Sequence, residues 1–179
     1  MNSRIKIIAL ILALNLLQAC ASAARTDRMV PENIMPVTTA QAIMLTVESV
    51  GGGSETNPMF SSQVGDEEFR QALSKSLQAA GLSNPSASAQ NTFTVDASLT
   101  GLSDPIIGFS FTVESDVYYR VTRSSDSADI FAESINASGT ARASEAFVGT
   151  ERLRIAKEYS IKENIGAFIE RIASILTSQ

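Results

Sequence analysis

The stretch that decides the fold is FSFTVESDVYYRVT, residues 109–122, in which apolar and polar side chains alternate. A period of two is typical of a strand with one buried face. So long a run requires an antiparallel neighbour, and the polar residues 124–127 supply the hairpin turn that leads into one. The side chains predicted to point inward are Phe109, Phe111, Val113, Val117, Tyr119 and Val121.

Three further segments show the same alternation and predict three more strands. One precedes the central run, one follows its turn, and one lies nearer the N-terminus. Glu133 interrupts the inward pattern of the segment after the turn, which indicates a bulge there. The inward positions are Phe93, Val95, Ala97 and Leu99 before the run, Phe131, Ile135, Ala137 and Ala141 after it, and Ile43, Leu45 and Val47 in the first segment.

Two segments repeat apolar residues at steps of three and four, which is typical of amphipathic helices. The first begins at Asp66, which can act as an N-cap, and ends at Gly81, a suitable left-handed stop. The second is longer and has Thr150 as its predicted cap. The buried stripes are Phe69, Ala72, Leu73, Leu77 and Ala80 in the first, and Ala156, Tyr159, Ile161, Ile165, Phe168, Ile169, Ile172 and Leu176 in the second.

The order of elements is therefore strand, helix, three strands, helix. A helix that connects two parallel strands of one sheet makes a right-handed crossover, which places both helices on the same face. The predicted fold class is α+β: a two-layer sandwich of order β-α-β-β-β-α, with a four-stranded mixed sheet and both helices on one face.

The first residues show the pattern of an export signal. Arg4 and Lys6 precede a short aliphatic run that is too short to span a bilayer. The run ends in Leu17-Gln18-Ala19-Cys20, which resembles the bacterial lipobox, where the cysteine receives diacylglycerol and a fatty acid and the chain is cut ahead of it. We therefore predict that residues 1–19 are a lipoprotein signal peptide and that Cys20 is the lipidated residue.

The alternative is an ordinary signal peptide that is cut among residues 21–24. Cys20 is the only cysteine, however, so a secreted chain would be left with an unpaired thiol. No aspartate follows Cys20, and by resemblance to enterobacterial lipoproteins this favours the outer membrane, facing the periplasm. The alternative location is the outer leaflet of the inner membrane.

Residues 20–40 are predicted to tether the lipid to the folded part of the protein. They are rich in small and polar residues, include two prolines and show no apolar period, which is typical of a flexible linker. Residues 41–179 have the length and apolar content of a single domain.

Charge and composition exclude several functions. The net charge of −5 becomes −7 when Arg4 and Lys6 leave with the signal peptide, and so acidic a domain is a poor candidate for nucleic acid binding. The chain has no histidine, which excludes Ser-His-Asp and Cys-His catalysis and histidine-based zinc sites. Asp126 and Asp129 lie in a turn without the regular ligand spacing of calcium loops. We predict no catalytic residue, no metal and no cofactor besides the acyl groups on Cys20.

The order of elements behind a lipobox resembles the small envelope lipoproteins of the YajG type and the lipopolysaccharide-assembly lipoprotein LptE. Residues 69–82, 116–119 and 156–169 carry this resemblance. It implies a role in the envelope through a protein partner, since LptE plugs a barrel and contacts lipopolysaccharide through exposed basic residues. The corresponding hairpin here, residues 102–108, has no basic residue.

Two classes of function follow. The first is a non-catalytic, lipid-anchored accessory protein that supports envelope assembly or transport by binding a protein partner or a lipid. Its candidate contacts are two apolar tips, Met59-Phe60 and Ile106-Ile107, which could equally pack against the edge of the core. The second is an enzyme that acts on envelope lipid or glycan through paired carboxylates, or through a serine near Lys157 or Lys162.

Overall fold

A computed structural model describes residues 23–54, 63–103 and 109–178 of the chain. Within them, four strands and two helices follow one another in the order β-α-β-β-β-α. The elements are β1 (Met44–Gly51), α1 (Asp66–Ala79), β2 (Thr92–Leu102), β3 (Phe111–Arg123), β4 (Asp129–Ala141) and α2 (Gly149–Thr177).

The strands form one mixed sheet in the order β1-β2-β3-β4. The pairing of β1 with β2 is parallel, as the crossover through α1 requires, and the other two pairings are antiparallel. Val121 of β3 lies opposite Val95 of β2 and Phe131 of β4, so the inward side chains line up across the sheet. The predicted fold class is therefore confirmed.

One face of the sheet is buried and the other is open. Inward residues of all four strands join the apolar stripes of α1 and α2 in one large cluster, so both helices cover the same face. A second, smaller cluster is formed by Val113, Ala141, Ile155 and Ala156. At the centre of the large cluster, the rings of Tyr119 and Phe168 stack with their centroids 4.2 Å apart, and Phe131 meets Phe168 edge-on at 5.7 Å. The open face is lined by Thr, Ser and charged side chains.

The predicted apolar stripe of α1 is confirmed, but the N-cap of this helix is not the predicted residue. Phe69, Leu73 and Leu77 are buried, and Gly81 has a φ of +75°, the left-handed conformation expected after a helix. The N-cap is Gly65 rather than Asp66. Asp66 is the first helical residue, and its carboxylate accepts a hydrogen bond from the backbone N–H of Gly53 at 2.7 Å, which closes the preceding loop.

Two predictions about the β3-β4 hairpin are wrong. Phe109 does not point inward: it lies before β3 begins and is 91% exposed. The pairing irregularity of β4 lies between Phe131 and Asp129 and not at Glu133, which stays in register opposite Tyr119. Glu133 is tolerated on the inward phase because it lies at the sheet edge, where its carboxylate accepts a hydrogen bond from Arg171 Nη1 at 2.8 Å.

The second helix begins one residue earlier than its predicted cap. Val148 is the N-cap residue, and Thr150 lies inside the first turn. The predicted apolar stripe is buried, with Tyr159 half-buried at its margin. Polar residues that the stripe did not include are buried as well: Arg154, Lys157, Glu158, Ser160 and Asn164.

The predicted flexible tether differs from what the structure shows for its described part. Ala24 and Met29 are buried in the core cluster, and residues 26–29 form a short 3-10 helix. The segment then runs along both helices, where the N–H of Val37 donates to the carbonyl oxygen of Ala80 at 2.9 Å. The apolar residues of this segment follow no regular period, yet they cover the helices, so the described chain is packed from Ala24 onward.

Candidate functional site

Every residue predicted to form a functional contact lies outside the described residues. These are the lipidation site Cys20 and the apolar tips Met59, Phe60, Ile106 and Ile107. Their roles stay predictions. The chain from residue 23 onward and the residues on both sides of the two tips are described, however, and their position limits where these residues can act.

All of these flanking segments meet at one end of the molecule, which we call the proximal end. It is the end where β1 and β2 finish and where β3 and α2 begin. The N–H of Ala24 donates to the carbonyl oxygen of Gln63 at 3.2 Å, which places the start of the described chain beside the loop that follows β1. A cleft of about 250 Å³ joins this loop to the end of β2, and Gly52, Gln63, Leu99 and Leu102 are among the residues that line it.

Large apolar side chains are exposed at the proximal end. Phe109 precedes β3 and is 91% exposed, and Phe147 precedes α2 and is 98% exposed. Val148, next to Phe147, is 49% exposed. The sequence pattern missed both aromatic residues, because Phe109 falls on the inward phase of β3 and Phe147 lies in a loop without periodicity.

A buried ion network fixes the N-terminal segment to α2 at this end. Glu158 is fully buried, and its carboxylate accepts hydrogen bonds from Arg154 Nη1 at 2.6 Å and from the backbone N–H of Arg25 at 2.8 Å. The guanidinium of Arg25 also reaches Glu158 at 3.2 Å, and this hydrogen bond raises the pKa of Arg25. A hydrogen bond from Arg154 lowers the pKa of Glu151. The (i,i+3) and (i,i+4) spacing of these charges in α2 was the available sequence signal.

Lys157 belongs to the same region. It is buried, and its Nζ donates to Oε1 of Gln63 at 3.1 Å, which joins α2 to the loop after β1. Burying the charge of a lysine costs free energy unless neighbouring groups form hydrogen bonds with it. Together with the Glu158 network, this contact makes the junction of the N-terminal segment, the loop and α2 a rigid part of the molecule.

A second buried polar cluster holds α2 against the sheet. Asn164 donates through Nδ2 to the carbonyl oxygen of Ile135 at 2.8 Å, and its Oδ1 accepts from the hydroxyl of Tyr119 at 2.9 Å. Ser160 donates to Ser115 at 2.8 Å. Burial raises the pKa of Tyr119, which stays protonated as a donor. Ser115 occupies an inward position among apolar residues of β3, and that gap was the signal in the sequence.

The carboxylates considered for chemistry have local structural partners. Asp126 accepts hydrogen bonds from the N–H of Ala128 and from Arg123, each at 3.1 Å, within the β3-β4 turn. Asp129 accepts from Thr122 at 2.9 Å. No group of three metal-ligating acidic, histidine or cysteine side chains comes together in the described ranges. Asp126 and Asp129 thus have partners within or beside the β3-β4 turn.

Two larger grooves lie away from the proximal end. One, of about 540 Å³, is lined by polar residues beside the β3-β4 turn, including Arg123 and Asp126. The other, of about 510 Å³, lies between the N-terminal segment and α2. The buried charged residues of α2 line neither groove, so the buried ionisable groups and the grooves do not converge as they commonly do in catalytic sites.

No helix among the described residues has the length and apolar character needed to cross a bilayer.

Comparison by sequence finds no match among known families or curated proteins. Comparison of structures finds protein XCC0632 of Xanthomonas campestris, from the family DUF330, at a TM-score of 0.58 and 10% identity, over 86% of this chain and 95% of that protein. Protein CT253 of Chlamydia trachomatis matches at a TM-score of 0.55 and 12% identity, over 78% of this chain and 100% of its own.

A minor lipoprotein of Acinetobacter baumannii matches at a TM-score of 0.41 and 11% identity, over 79% of this chain and 94% of that protein. This similarity is too weak to establish a common fold. The likeness to the Xanthomonas and Chlamydia proteins shows a shared fold alone, because one fold serves many unrelated functions.

Proposed function

We propose that this chain is a lipid-anchored, non-catalytic accessory lipoprotein of the bacterial envelope. In this proposal Cys20 carries diacylglycerol and a fatty acid, and the domain faces the periplasm from the outer membrane. The domain acts by binding a protein partner and supports envelope assembly or transport, as the resemblance to the YajG and LptE lipoproteins implies.

One observation carries the proposal. A charged and then aliphatic segment leads to Leu17-Gln18-Ala19-Cys20, and Ala24, only four residues after the proposed acylation site, is already buried in the core. An uncleaved apolar segment would have to be accommodated close against the proximal end. Cleavage before Cys20 removes that segment and leaves a short, acylated start.

The test is Cys20→Ala in cells grown with a labelled fatty acid. We expect the variant to lose the label and to accumulate as an uncleaved precursor, while the control Ser22→Ala is labelled and cleaved like the parent. A Cys20→Ala protein that is labelled as strongly as the parent would refute the lipoprotein assignment.

The location has its own test. No aspartate follows Cys20 in the chain, so the parent should fractionate with the outer membrane, and Ala21→Asp should move it to the inner membrane. Separation of the two membranes on a sucrose gradient measures this. A parent protein found with the inner membrane would contradict the proposed location while leaving the acylation intact.

The partner can be sought by affinity purification of the acylated protein from detergent-solubilised membranes. Proteins and lipids that co-purify would be identified by mass spectrometry. We expect an envelope protein to be retained. Recovery of lipid alone would contradict the proposal of a protein partner.

A further inference from the structure

We propose that the proximal end of the domain rests on the bilayer that holds the acyl chains, with Phe109 and Phe147 inserted into the headgroup layer. This inference rests on the proposed lipid anchor at Cys20. It adds an orientation and a lipid-contacting surface made of residues on two different connections, before β3 and before α2.

The length of chain between the anchor and the fold carries the first step. Ala24 is 4% exposed, and its backbone is bonded to Gln63 at the proximal end. From Cys20 to Ala24 the fully extended chain reaches about 14 Å at most. The proximal end therefore cannot move further than this from the acylated cysteine, and a long-tethered domain with free orientation is excluded.

The position of Ala24 is itself held firmly. The next residue, Arg25, is bonded to the buried carboxylate of Glu158 through both its backbone N–H and its guanidinium. The side chain of Arg25 is 42% exposed, whereas that of Glu158 is fully buried, and leaving a buried carboxylate without its partners is unfavourable. Ala24 thus moves with the domain, and the short chain from Cys20 to Ala24 limits the distance between the acylated cysteine and the whole proximal end.

The second step is the exposure of the aromatic side chains at that same end. Phe109 and Phe147 are the most exposed of the large apolar side chains in the described ranges, at 91% and 98%. Residues near them in the chain are packed. The guanidinium of Arg152 lies 5.0 Å from the ring centroid of Phe111, and Phe111 and Ala146 both pack against the smaller apolar cluster that includes Val113. Both aromatic rings are consequently presented by ordered backbone rather than by a free end of the chain.

The third step concerns charge. The nearby carboxylate of Glu145 accepts hydrogen bonds from the backbone N–H of Arg142 and from the hydroxyl of Tyr159, each at 2.7 Å. The domain is acidic as a whole, so attraction to anionic lipid does not drive its docking. Insertion of apolar rings into the boundary between headgroups and acyl chains, about 5–10 Å deep, does not require such attraction.

The bilayer is the occupant that this geometry favours. Two exposed rings would bind a membrane only weakly if the domain were free in solution. Anchoring makes their insertion an intramolecular step at a high effective concentration, so a small gain in burial is sufficient. A protein partner that covered Phe109 and Phe147 would have to enter the narrow space between the proximal end and the bilayer, which the short chain from Cys20 to Ala24 limits.

The test uses the natural absence of tryptophan from the chain. Phe109→Trp and Phe147→Trp are made in the full-length protein, purified in acylated form and reconstituted into vesicles of phosphatidylethanolamine and phosphatidylglycerol. Part of the lipid carries bromine on its acyl chains, which quenches tryptophan fluorescence at short range. The matched control is Met35→Trp, because Met35 is apolar and 84% exposed but lies beside the groove between the N-terminal segment and α2.

We expect brominated lipid to quench the emission of the Phe109→Trp and Phe147→Trp proteins at least about twofold more than that of the Met35→Trp protein. Mass spectrometry of the same samples reports acylation of Cys20. An acylated protein whose three variants are quenched equally overturns the inference and leaves the proposed function standing. A second result would also overturn it. In that result the tryptophan emission is not quenched in pure lipid vesicles, and a protein crosslinks to positions 109 and 147 in native membranes. A chain that carries no acyl group removes the proposed function and this inference together.

Discussion

Asn164 is the residue that most tightly joins the sheet to α2. Its amide donates to the carbonyl oxygens of Ile135 and Ser115 and accepts from Tyr119, and all of these contacts are buried. A buried polar group without a partner costs more free energy than a formed hydrogen bond contributes. One side chain that satisfies groups on two strands therefore fixes the position of the helix as well as stabilising it.

Replacing this side chain gives a prediction at the scale of one residue. Asn164→Ala should lower the free energy of unfolding by at least about 2 kcal/mol, because it leaves the hydroxyl of Tyr119 buried without its acceptor. The control Glu163→Ala changes an exposed neighbour in the same helix and should stay within about 0.5 kcal/mol of the parent. Urea unfolding of a soluble form that begins at Ala21 measures both. Equal unfolding midpoints for the two variants would contradict the role given to Asn164.

Glu151 gives a second prediction at this scale, through pH. Its pKa is lowered from the ordinary value of 4.5, first by the hydrogen bond from Arg154. A carboxylate whose pKa is lower in the folded state stabilises fully above its unfolded pKa, and that stabilisation disappears as the pH falls through the folded pKa. Glu151→Gln should therefore melt below the parent at pH 7, and the difference should disappear as the pH falls through the folded pKa of Glu151. Glu163→Gln serves as the control, and a Glu151→Gln difference that persists unchanged at low pH would contradict this origin.

At the scale of the element, α2 combines two kinds of packing on one helix. Its C-terminal half buries Ile165, Phe168 and Ile172 against the sheet, whereas its N-terminal half buries charged and polar residues beside apolar ones. The close approach of the helix to β4 depends on Gly139, because a Cβ there would lie 2.1 Å from the backbone nitrogen of Ser160. The C-terminal half stabilises the fold by burying apolar surface, and the polar contacts of the N-terminal half fix where the helix lies on the sheet.

The apolar half is tested by a charge. Ile165→Asp or Ile172→Asp would bury a carboxylate without a partner and should cost several kcal/mol of the roughly 5–15 kcal/mol that a domain of this kind has. We expect unfolding or aggregation of the soluble form. Ser174→Asp adds the same charge at an exposed position of the helix and should fold. Thermal melting followed by circular dichroism distinguishes them, and unchanged melting of both Ile variants would show that the helix does not pack as described.

At the scale of the whole molecule, the proximal end gathers segments that are far apart in sequence. Ala24, the described residues on either side of the loop after β1, the end of β2, and the starts of β3 and α2 all lie there. Ile106 and Ile107 lie within the β2-β3 connection, outside the described residues. The described residues on either side of them, Ser103 and Phe109, lie at the proximal end.

Changing both isoleucines to Ser separates the two roles open to them. If they form a contact surface, the double variant should melt close to the parent and lose an envelope protein that co-purifies with it. If they fill the edge of the core, the lost burial should lower stability by a few kcal/mol. Melting temperature and co-purification from membranes are measured on the same protein. A destabilised variant, or a stable one that retains every partner, would contradict the contact role.

The strands and helices were predictable from the sequence because their burial is periodic. Alternation along residues 109–122 and the three other segments identified four strands, and steps of three and four identified both helices. A crossover rule then supplied the fold class. Local patterns fail where burial is not periodic: Phe109 matches the phase of β3 but lies beyond its first hydrogen bond, and residues 24–37 cover the helices without a regular repeat.

Only the tertiary structure decided which polar residues are buried and what meets at the proximal end. The pairing of Arg25 with Glu158 spans most of the chain, and that of Tyr119 with Asn164 joins a strand to a distant helix. Neither leaves a local pattern, because each polar group is satisfied by a partner that folding brings to it. The lipobox proposed at Cys20, by contrast, rests on the sequence alone, since a short linear motif needs no tertiary contact to be recognised.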